Sequence, residues 1–298
     1  MLTNGTLWRA LEQASEKALA SGAQQPIPTE FHVLEDQGVP FIVRVVERFA
    51  RKVSFPDEAN RGNGNVPNPF LPYDPEMFVA DISPTHVGLL NKYNVVDHHL
   101  LIVTREFEAQ ESLLTLADFE ALWTCMAEIP SLGFYNSGPS AGASQPHKHL
   151  QWVRLPLSEH SPHLPIESLL EPWRLRDEMG RAESLPFAHA IVRIEGAGEL
   201  PPSQLAASTT VHYRSMLRTL GLNSTADDGV ERPSPYNLLI TQDWMMLVPR
   251  SRECFGSISL NALAFAGTFL VRDEARFREL ESLGPMAALR HVGVSARS

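Results

Sequence analysis

The chain of 298 residues carries 25 Lys+Arg against 35 Asp+Glu, a formal charge of −10, with 43% hydrophobic and 20% charged residues. These proportions support a buried core and exclude disorder of the whole chain; the length predicts one large domain or two smaller ones fused. The acidic balance argues against duplex nucleic acid as the main partner, which needs a broad basic surface, but allows a small polyphosphate held by a few cations and backbone amides.

In chain order, Leu7, Trp8, Leu11, Ala14, Ala18 and Leu19 recur at helical spacing and predict an amphipathic helix from Leu7 to Ala20, ended by Gln24 to Pro28. Glu12, Glu16 and Lys17 interrupt its apolar stretch, so it does not read as a signal peptide. Phe41 to Phe49 is a strand or short helix closing on Arg51 and Lys52. Asn60 to Pro72 is a loop by its Gly, Asn and Pro content. Met77–Ile82, Val87–Leu90 and Leu100–Thr104 read as strands. Thr115 to Ile129 reads as a helix with Thr115 as N-cap and Pro130 as its stop.

A short strand, Leu132–Tyr135, a small-residue loop from Asn136 to Gln145 and a strand from His147 to Leu155 follow. Pro156 to Pro172 is a long excursion. A second half begins near Leu185, with a strand at Phe187–Ile194 and a helix at Val211–Leu220. A hairpin pairs Tyr236–Thr241 with Trp244–Val248 across Gln242-Asp243. The longest apolar run, Leu263 to Val271, is broken by Gly267 and Thr268 and falls short of the ~18 residues of a membrane span. Asp273 to Leu283 is the last predicted helix. Strands grouped with helices, without strict alternation, predict an α+β fold. Leu89 to Glu106 and Leu238 to Glu253 share a strand-turn-strand run, a weak internal echo of a duplicated fold.

The strongest local signal spans residues 138 to 151, Gly-Pro-Ser-Ala-Gly-Ala-Ser-Gln-Pro-His-Lys-His-Leu-Gln. On a strand, His147, His149 and Gln151 share one face and Lys148, Leu150 and Trp152 the other. The small residues upstream let backbone amides approach an anion closely. Histidines beside such a cradle point to phosphoryl or nucleotidyl transfer through a covalent histidine adduct. Two alternating histidines are also a metal-ligand pattern, but no third and fourth ligand is evident. A solvated strand face is the remaining reading of the pair. No GxxxxGK[ST] P-loop occurs. Cys125 and Cys254 form no CxxC pair, and neither reads as a nucleophile. His98 and His99 are adjacent, face opposite ways on a strand, and read as structural.

His147-Lys148-His149-Leu150-Gln151 after Asn136-Ser-Gly-Pro-Ser-Ala-Gly-Ala-Ser resembles the H-x-H-x-Q signature of the histidine-triad superfamily, and more closely the diadenosine tetraphosphate (Ap4A) phosphorylases, or ATP adenylyltransferases. Gln25-Pro-Ile-Pro-Thr, Asn68-Pro-Phe-Leu-Pro-Tyr, the run from His86 to Arg105, Tyr236-Asn-Leu-Leu-Ile-Thr, Trp244-Met and Pro249-Arg-Ser are also similar to that family. The resemblance implies two fused histidine-triad-like halves with antiparallel sheets flanked by helices: a catalytic half over 1–180 and a second, motif-free half over 181–298. It implies phosphorolysis of Ap4A to ATP and ADP, and the reverse, through an AMP adduct on His149, with His147 orienting the site and Gln151 contacting the transferred phosphate.

By the same resemblance, Asn136, Gly142, Ala143, Ser144 and Gln145 would hold polyphosphate. Lys52, Asn91 and Lys92 would contact nucleotide or phosphate, and Asn237, Thr241 and Met245 would reach over from the second half. The expected cofactor is a divalent cation, Mg²⁺ or Mn²⁺, bound through substrate phosphates rather than by a protein cage. The expected partners are dinucleoside polyphosphate, ATP, ADP and phosphate, without nucleic acid or membrane, for a cytoplasmic monomer. The competing readings are a nucleotide-sugar uridylyltransferase, an Ap4A hydrolase and a non-catalytic dinucleotide sensor. Uridylyltransferases typically carry proline at the positions of Lys148 and Leu150.

Overall fold

Two helix-and-strand units, one from each half of the chain, join edge to edge in a single sheet. The computed structural model describes residues 5–47, 68–158, 164–170, 179–222 and 232–296. Its elements in order are α1 (Leu7–Ser21), β1 (Thr29–Asp36), β2 (Val39–Val46), β3 (Phe78–Asp81), β4 (His86–Leu90), β5 (Leu100–Thr104), α2 (Leu116–Met126), β6 (Ser131–Asn136) and β7 (His149–Arg154). There follow β8 (Met179–Gly180), β9 (Ala190–Arg193), α3 (Pro202–Thr219), β10 (Tyr236–Ile240), β11 (Trp244–Pro249), β12 (Cys254–Phe255), β13 (Ile258–Ser259), α4 (Ala262–Phe265), β14 (Thr268–Val271), α5 (Glu274–Leu283) and α6 (Pro285–Val292).

The main sheet has nine strands in the order β3-β4-β5-β7-β6-β10-β11-β9-β8, antiparallel at every pairing. β1, β2 and β14 form a smaller sheet in which β14 runs parallel to β2. The fold is α+β, as expected. The internal repeat is real but lies in a different register from the echo. β8-β9-α3-β10-β11 repeats β4-β5-α2-β6-β7, so β11 is the counterpart of β7, whereas the sequence echo paired β4–β5 with β10–β11. Short buried strands share apolar patterns whatever their place, so the echo falls on strands that are not structural counterparts.

Local chemistry explains most boundaries. Gly22, at φ 78, ends α1 in the left-handed conformation, where glycine carries no Cβ penalty. Thr115 and Asp118 form a capping box on α2: Asp118 N–H donates to Thr115 Oγ1 at 3.3 Å, and Thr115 N–H donates to Asp118 Oδ2 at 2.6 Å. The helix stops at Met126, before the predicted Ile129. The β10–β11 turn is held by Thr241, whose Oγ1 accepts from the amides of Asp243 and Trp244. α3 starts at Pro202, well before Val211, because proline fits the first turn of a helix. β1, β14 and α6 were not anticipated; β1 alternates half-buried and exposed residues, which hides its pattern.

Helices α1, α2 and α3 cover one face, packing Leu11, Phe119, Leu122, Tyr213 and Met216 against Leu150, Trp152, Leu238 and Met245. On the other face Phe41, Val43, Phe265, Phe269 and Leu289 pack against Leu132, Phe134, Leu239 and Met246. Over β4 and β5 that same face carries Phe70 with Val87, Leu89, Leu101 and Val103. β7 lies between these two covers, which places its polar side chains at the step between them. Among the described residues, no helix is long and apolar enough to cross a membrane.

Candidate active site

The strand alternation expected for the motif holds. His149 pairs with Val103 and Gln151 with Leu101 on one side, and Gln151 with Phe134 on the other. The ladder starts at His149, two residues later than predicted. His147 lies just before it and pairs with Ala109 in an isolated bridge outside the sheet. The Phe70 ring lies 5.6 Å from the ring of His147 and 5.4 Å from that of His149, so both imidazoles share its face. Lys148 points the opposite way, fully buried, with Nζ 2.7 Å from Asp118 Oδ2, 2.9 Å from Glu108 Oε2 and 3.0 Å from the Leu113 carbonyl.

Hydrogen bonds fix the tautomer of both histidines. Asn68 Oδ1 accepts from Phe70 N–H at 2.9 Å, which turns the Asn68 Nδ2 group to donate to His147 Nδ1 at 3.0 Å. His147 therefore carries its proton on Nε2 and donates it to the Thr104 carbonyl at 2.8 Å. In His149 the arrangement is reversed. Its Nδ1–H donates to the His147 carbonyl at 2.8 Å, so Nε2 keeps a free lone pair, and no hydrogen bond among the described residues engages that atom. Burial holds His149 well below the ordinary histidine range, at about 4, despite the helpful carbonyl of His147. Burial likewise lowers His147. A neutral, desolvated imidazole with one nitrogen anchored and the other unpaired has the form that nucleophilic attack requires.

His189 provides an internal contrast. It shares the device, donating Nδ1–H to the Phe187 carbonyl at 2.7 Å, and burial also lowers it to about 4. Its Nε2, however, accepts the Ala182 amide at 2.9 Å, so its lone pair is occupied and the residue is structural. His99 is the third histidine that burial lowers to about 4. In the unfolded chain all three titrate near ~6.5 and bind protons that the fold refuses. Stability therefore falls as pH drops from about 6.5 toward 4. Urea midpoints measured from pH 8 to 4.5 are expected to decline from just above pH 6; a flat profile down to pH 5 refutes three neutral buried histidines.

The loop between β6 and β7 forms a cradle. Gly138 at φ 83 and Gly142 at φ 88 turn it back on itself, with the amides of Ala141 and Ala143 both bonded to the Gly138 carbonyl. A Cβ on Gly142 would lie 2.6 Å from the Leu260 carbonyl oxygen, so this position requires glycine sterically as well as conformationally. No hydrogen bond among the described residues engages the amides of Ser144 and Gln145, which remain available to an anion. Gly142→Ala is expected to displace this loop and to raise KM for a polyphosphate substrate at least about tenfold, read from initial rates, with the thermal midpoint lowered as well.

Asn136 and Asn237 stand side by side across β6 and β10. Asn237 Nδ2 donates to Asn136 Oδ1 and to the Ala141 carbonyl, each at 2.8 Å, and Arg250 Nη1 donates to Asn237 Oδ1 at 2.5 Å. Both asparagines thus brace the cradle; among the described residues no hydrogen bond engages Asn136 Nδ2. Asn91, just past β4, donates from Nδ2 to His99 Nδ1 at 3.1 Å, and His99 in turn lies beside Gln151. Lys92 is exposed, its Nζ 5.6 Å from the Tyr93 ring centre.

Thr241 is occupied within its turn, at the end of β10 away from Asn237. Met245 does not reach the histidines. It is packed in the core beneath the helices with Leu150 and Trp152, because strand parity turns it to that face and gives Met246 the other. Lys52 lies outside the described residues. Asn68, Phe70, Thr104 and Phe107, whose ring is 5.4 Å from that of His147, complete the surroundings. Asn68, Phe70 and Thr104 had a sequence signal, as parts of runs similar to the family; Phe107 had none. His98 turns away and meets Trp8 edge-on at 4.9 Å, so the adjacent histidines indeed part company.

Residues 1–172 match the model of the Ap4A phosphorylase N-terminal domain, and residues 183–295 that of the ATP adenylyltransferase C-terminal domain. Diadenosine 5',5'''-P1,P4-tetraphosphate phosphorylase 2 of Saccharomyces cerevisiae is 27% identical over 256 residues, 78% of this chain and 77% of that protein. The fold is similar to the crystal structure of yeast Ap4A phosphorylase Apa2, with a TM-score of 0.80 at 24% identity over 100% of this chain and 97% of that one. The same yeast enzyme in complex with Ap4A matches with a TM-score of 0.78 at 23% identity, over 100% of both chains.

Proposed function

Because this chain belongs to the Ap4A phosphorylase family, we propose that His149 carries AMP from Ap4A to inorganic phosphate in two half-reactions. The observation that carries the assignment is the His149 tautomer, anchored at Nδ1 and free at Nε2 beside a small-residue cradle. In the first half-reaction Nε2 attacks an α-phosphorus. A P–N bond forms, the anhydride P–O bond breaks, and ATP leaves with the electron pair on its terminal oxygen. The imidazole of the adduct is cationic, and the His147 carbonyl on Nδ1–H stabilises that charge. In the second, a phosphate oxygen attacks the same phosphorus, the P–N bond breaks and ADP is released.

Gln151 supports this as a hydrogen-bond donor to the transferred phosphoryl oxygens; a carboxamide neither gives up nor takes a proton at neutral pH. That suits transfer to phosphate, which arrives as a ready nucleophile, better than transfer to water. The free amides of Ser144 and Gln145 bind polyphosphate, with Asn136 beside them, and Asn91 and Lys92 serve the nucleoside end. A divalent cation, Mg²⁺ or Mn²⁺, would be held through the substrate's own phosphates and would neutralise their charge. The second half braces the cradle within the same chain, Asn237 and Arg250 both donating to the Ala141 carbonyl, which is consistent with activity as a monomer.

Chromatography of Ap4A products with Mg²⁺, with and without phosphate, tests the assignment. ATP plus ADP, formed only with phosphate, is the expected result. ATP plus AMP without phosphate identifies a hydrolase, and no turnover identifies a binding protein. Two in-line displacements also predict retention at a chiral α-phosphorus; inversion excludes the adduct.

A further inference from the structure

The aim of His149 depends entirely on backbone. Its imidazole is anchored to the His147 carbonyl, so the line of attack of Nε2 is only as steady as the main chain from His147 to His149. That main chain lies at the end of the ladder: on one side His149 still pairs with Val103 of β5, but on the other the β6–β7 pairing ends at Phe134–Gln151, two residues short of it. Ordinary strand pairing on the β6 side therefore stops before the residue that needs it most.

One buried carboxamide replaces the missing strand. Gln110 Oε1 accepts the His149 amide at 2.9 Å, while its Nε2 donates to the His149 carbonyl at 3.2 Å and to the Asn136 carbonyl at 2.8 Å. Gln110 thus holds both backbone groups of His149 on the side facing β6, and ties them to the residue that starts the cradle. Its own main chain is fixed in turn: its amide donates to the Pro146 carbonyl at 2.8 Å, and its carbonyl accepts the Tyr135 hydroxyl. Neighbours continue the strap, with Ala109 bridged to His147 and the Glu108 carbonyl accepting the Lys148 amide at 2.8 Å. Gln110 is fully buried, and nothing in its bonding addresses solvent.

We propose that Gln110 is a positioning residue for adenylyl transfer, holding the backbone of His149 so that Nε2 stays in line with the attacked phosphorus. The proposal rests on His149 being the nucleophile. Gln110 touches no reacting atom, so its loss acts on orientation and not on substrate contacts. Displacing a reacting group by about 1 Å costs on the order of 10²-fold in rate.

Two variants test this, with rates taken per folded molecule. Gln110→Leu fills the space without polar atoms and is expected to lower kcat and the single-turnover rate of histidine adenylylation about 30–100-fold, with KM for Ap4A within about twofold. In Gln110→Glu, an ionised carboxylate accepts the His149 amide but faces two carbonyls it cannot serve. The protonated acid has one acceptor and one donor and restores most of the clamp. Its kcat is therefore expected to rise as pH falls from 8 to 6, a rise the wild type lacks because His149 is neutral throughout that range.

An unchanged kcat in the leucine variant, a KM that rises in step with any fall in kcat, or a glutamate variant whose profile follows the wild type overturns the proposal. Should the leucine variant fail to fold, the glutamate profile decides alone. Wild-type protein that makes no ATP and ADP overturns the functional reading itself, and with it this inference.

Discussion

His149→Ala is expected to reduce phosphorolysis of Ap4A by more than ~10⁴-fold while leaving Ap4A affinity within about tenfold. Loss of a covalent nucleophile removes the route itself, and residual turnover then relies on binding and electrostatics alone. Affinity survives because His149 contributes one lone pair, whereas the cradle amides, Asn136, Asn91 and Gln151 are untouched. The variant leaves the Nδ1 anchor unneeded and the Gln110 clamp intact, since both backbone groups of residue 149 remain. Equilibrium binding of Ap4A, measured beside initial rates, separates the two effects. Turnover within a hundredfold of wild type refutes the adduct. His149→Gly leaves room for free imidazole, and partial recovery in its presence is the positive counterpart.

Replacing Lys148 by methionine, or Asp118 by asparagine, is expected to cost the fold about 3–5 kcal/mol each, the largest single-site losses anticipated in this chain. The pair sits directly behind the catalytic strand at 2.7 Å, with Asp118 also 3.0 Å from His86 Nε2, and both side chains are 0–1% exposed. Removing one member strands the charge of the other in a medium that solvates it poorly. Glu108, half-exposed, remains as a second partner of Lys148 and moderates the loss in Asp118→Asn. The double variant should lose less than the sum of the singles, because it removes both charges together.

The pH dependence of the Asp118 contribution has a definite sign. Burial alone would raise its carboxyl, but the hydrogen bond and charge of His86 and the charge of Lys148 outweigh that and bring it down to about 2 from 3.8. Its stabilisation, roughly 2–3 kcal/mol for a shift of this size, is present above about pH 4–5 and disappears as pH falls toward 2. Wild type and Asp118→Asn should therefore converge in acid. Denaturant midpoints compared at pH 7 and pH 3 check this. Equal gaps at both values contradict an ionised, paired Asp118.

Much of this was legible in order along the chain. The periodicities of α1, α2 and the β10–β11 hairpin are local properties of side-chain spacing and capping, and they survive folding because burial and local preference agree. The H-x-H-x-Q alternation is likewise a matter of strand period, which forces His147, His149 and Gln151 to one face and Lys148 to the other in any strand they enter. The small-residue cradle needed no tertiary knowledge either, since Gly138 and Gly142 mark positions that only glycine occupies without strain.

What the sequence could not decide is which partner each polar group finds. Whether His149 reads as a nucleophile or a core histidine turns on its Nε2, which no described residue engages, whereas the same atom of His189 is capped by a backbone amide. Met245 and Met246 are indistinguishable by composition, and only sheet register sends the first under the helices. Gln110 carries no motif and no periodicity, yet it grips the main chain of His149 from 39 residues away. Local patterns determined the elements and the face on which the chemistry lies. Hydrogen-bond saturation, a property of the packed whole, is what separates His149, whose Nε2 no described residue engages, from His189 with its capped Nε2.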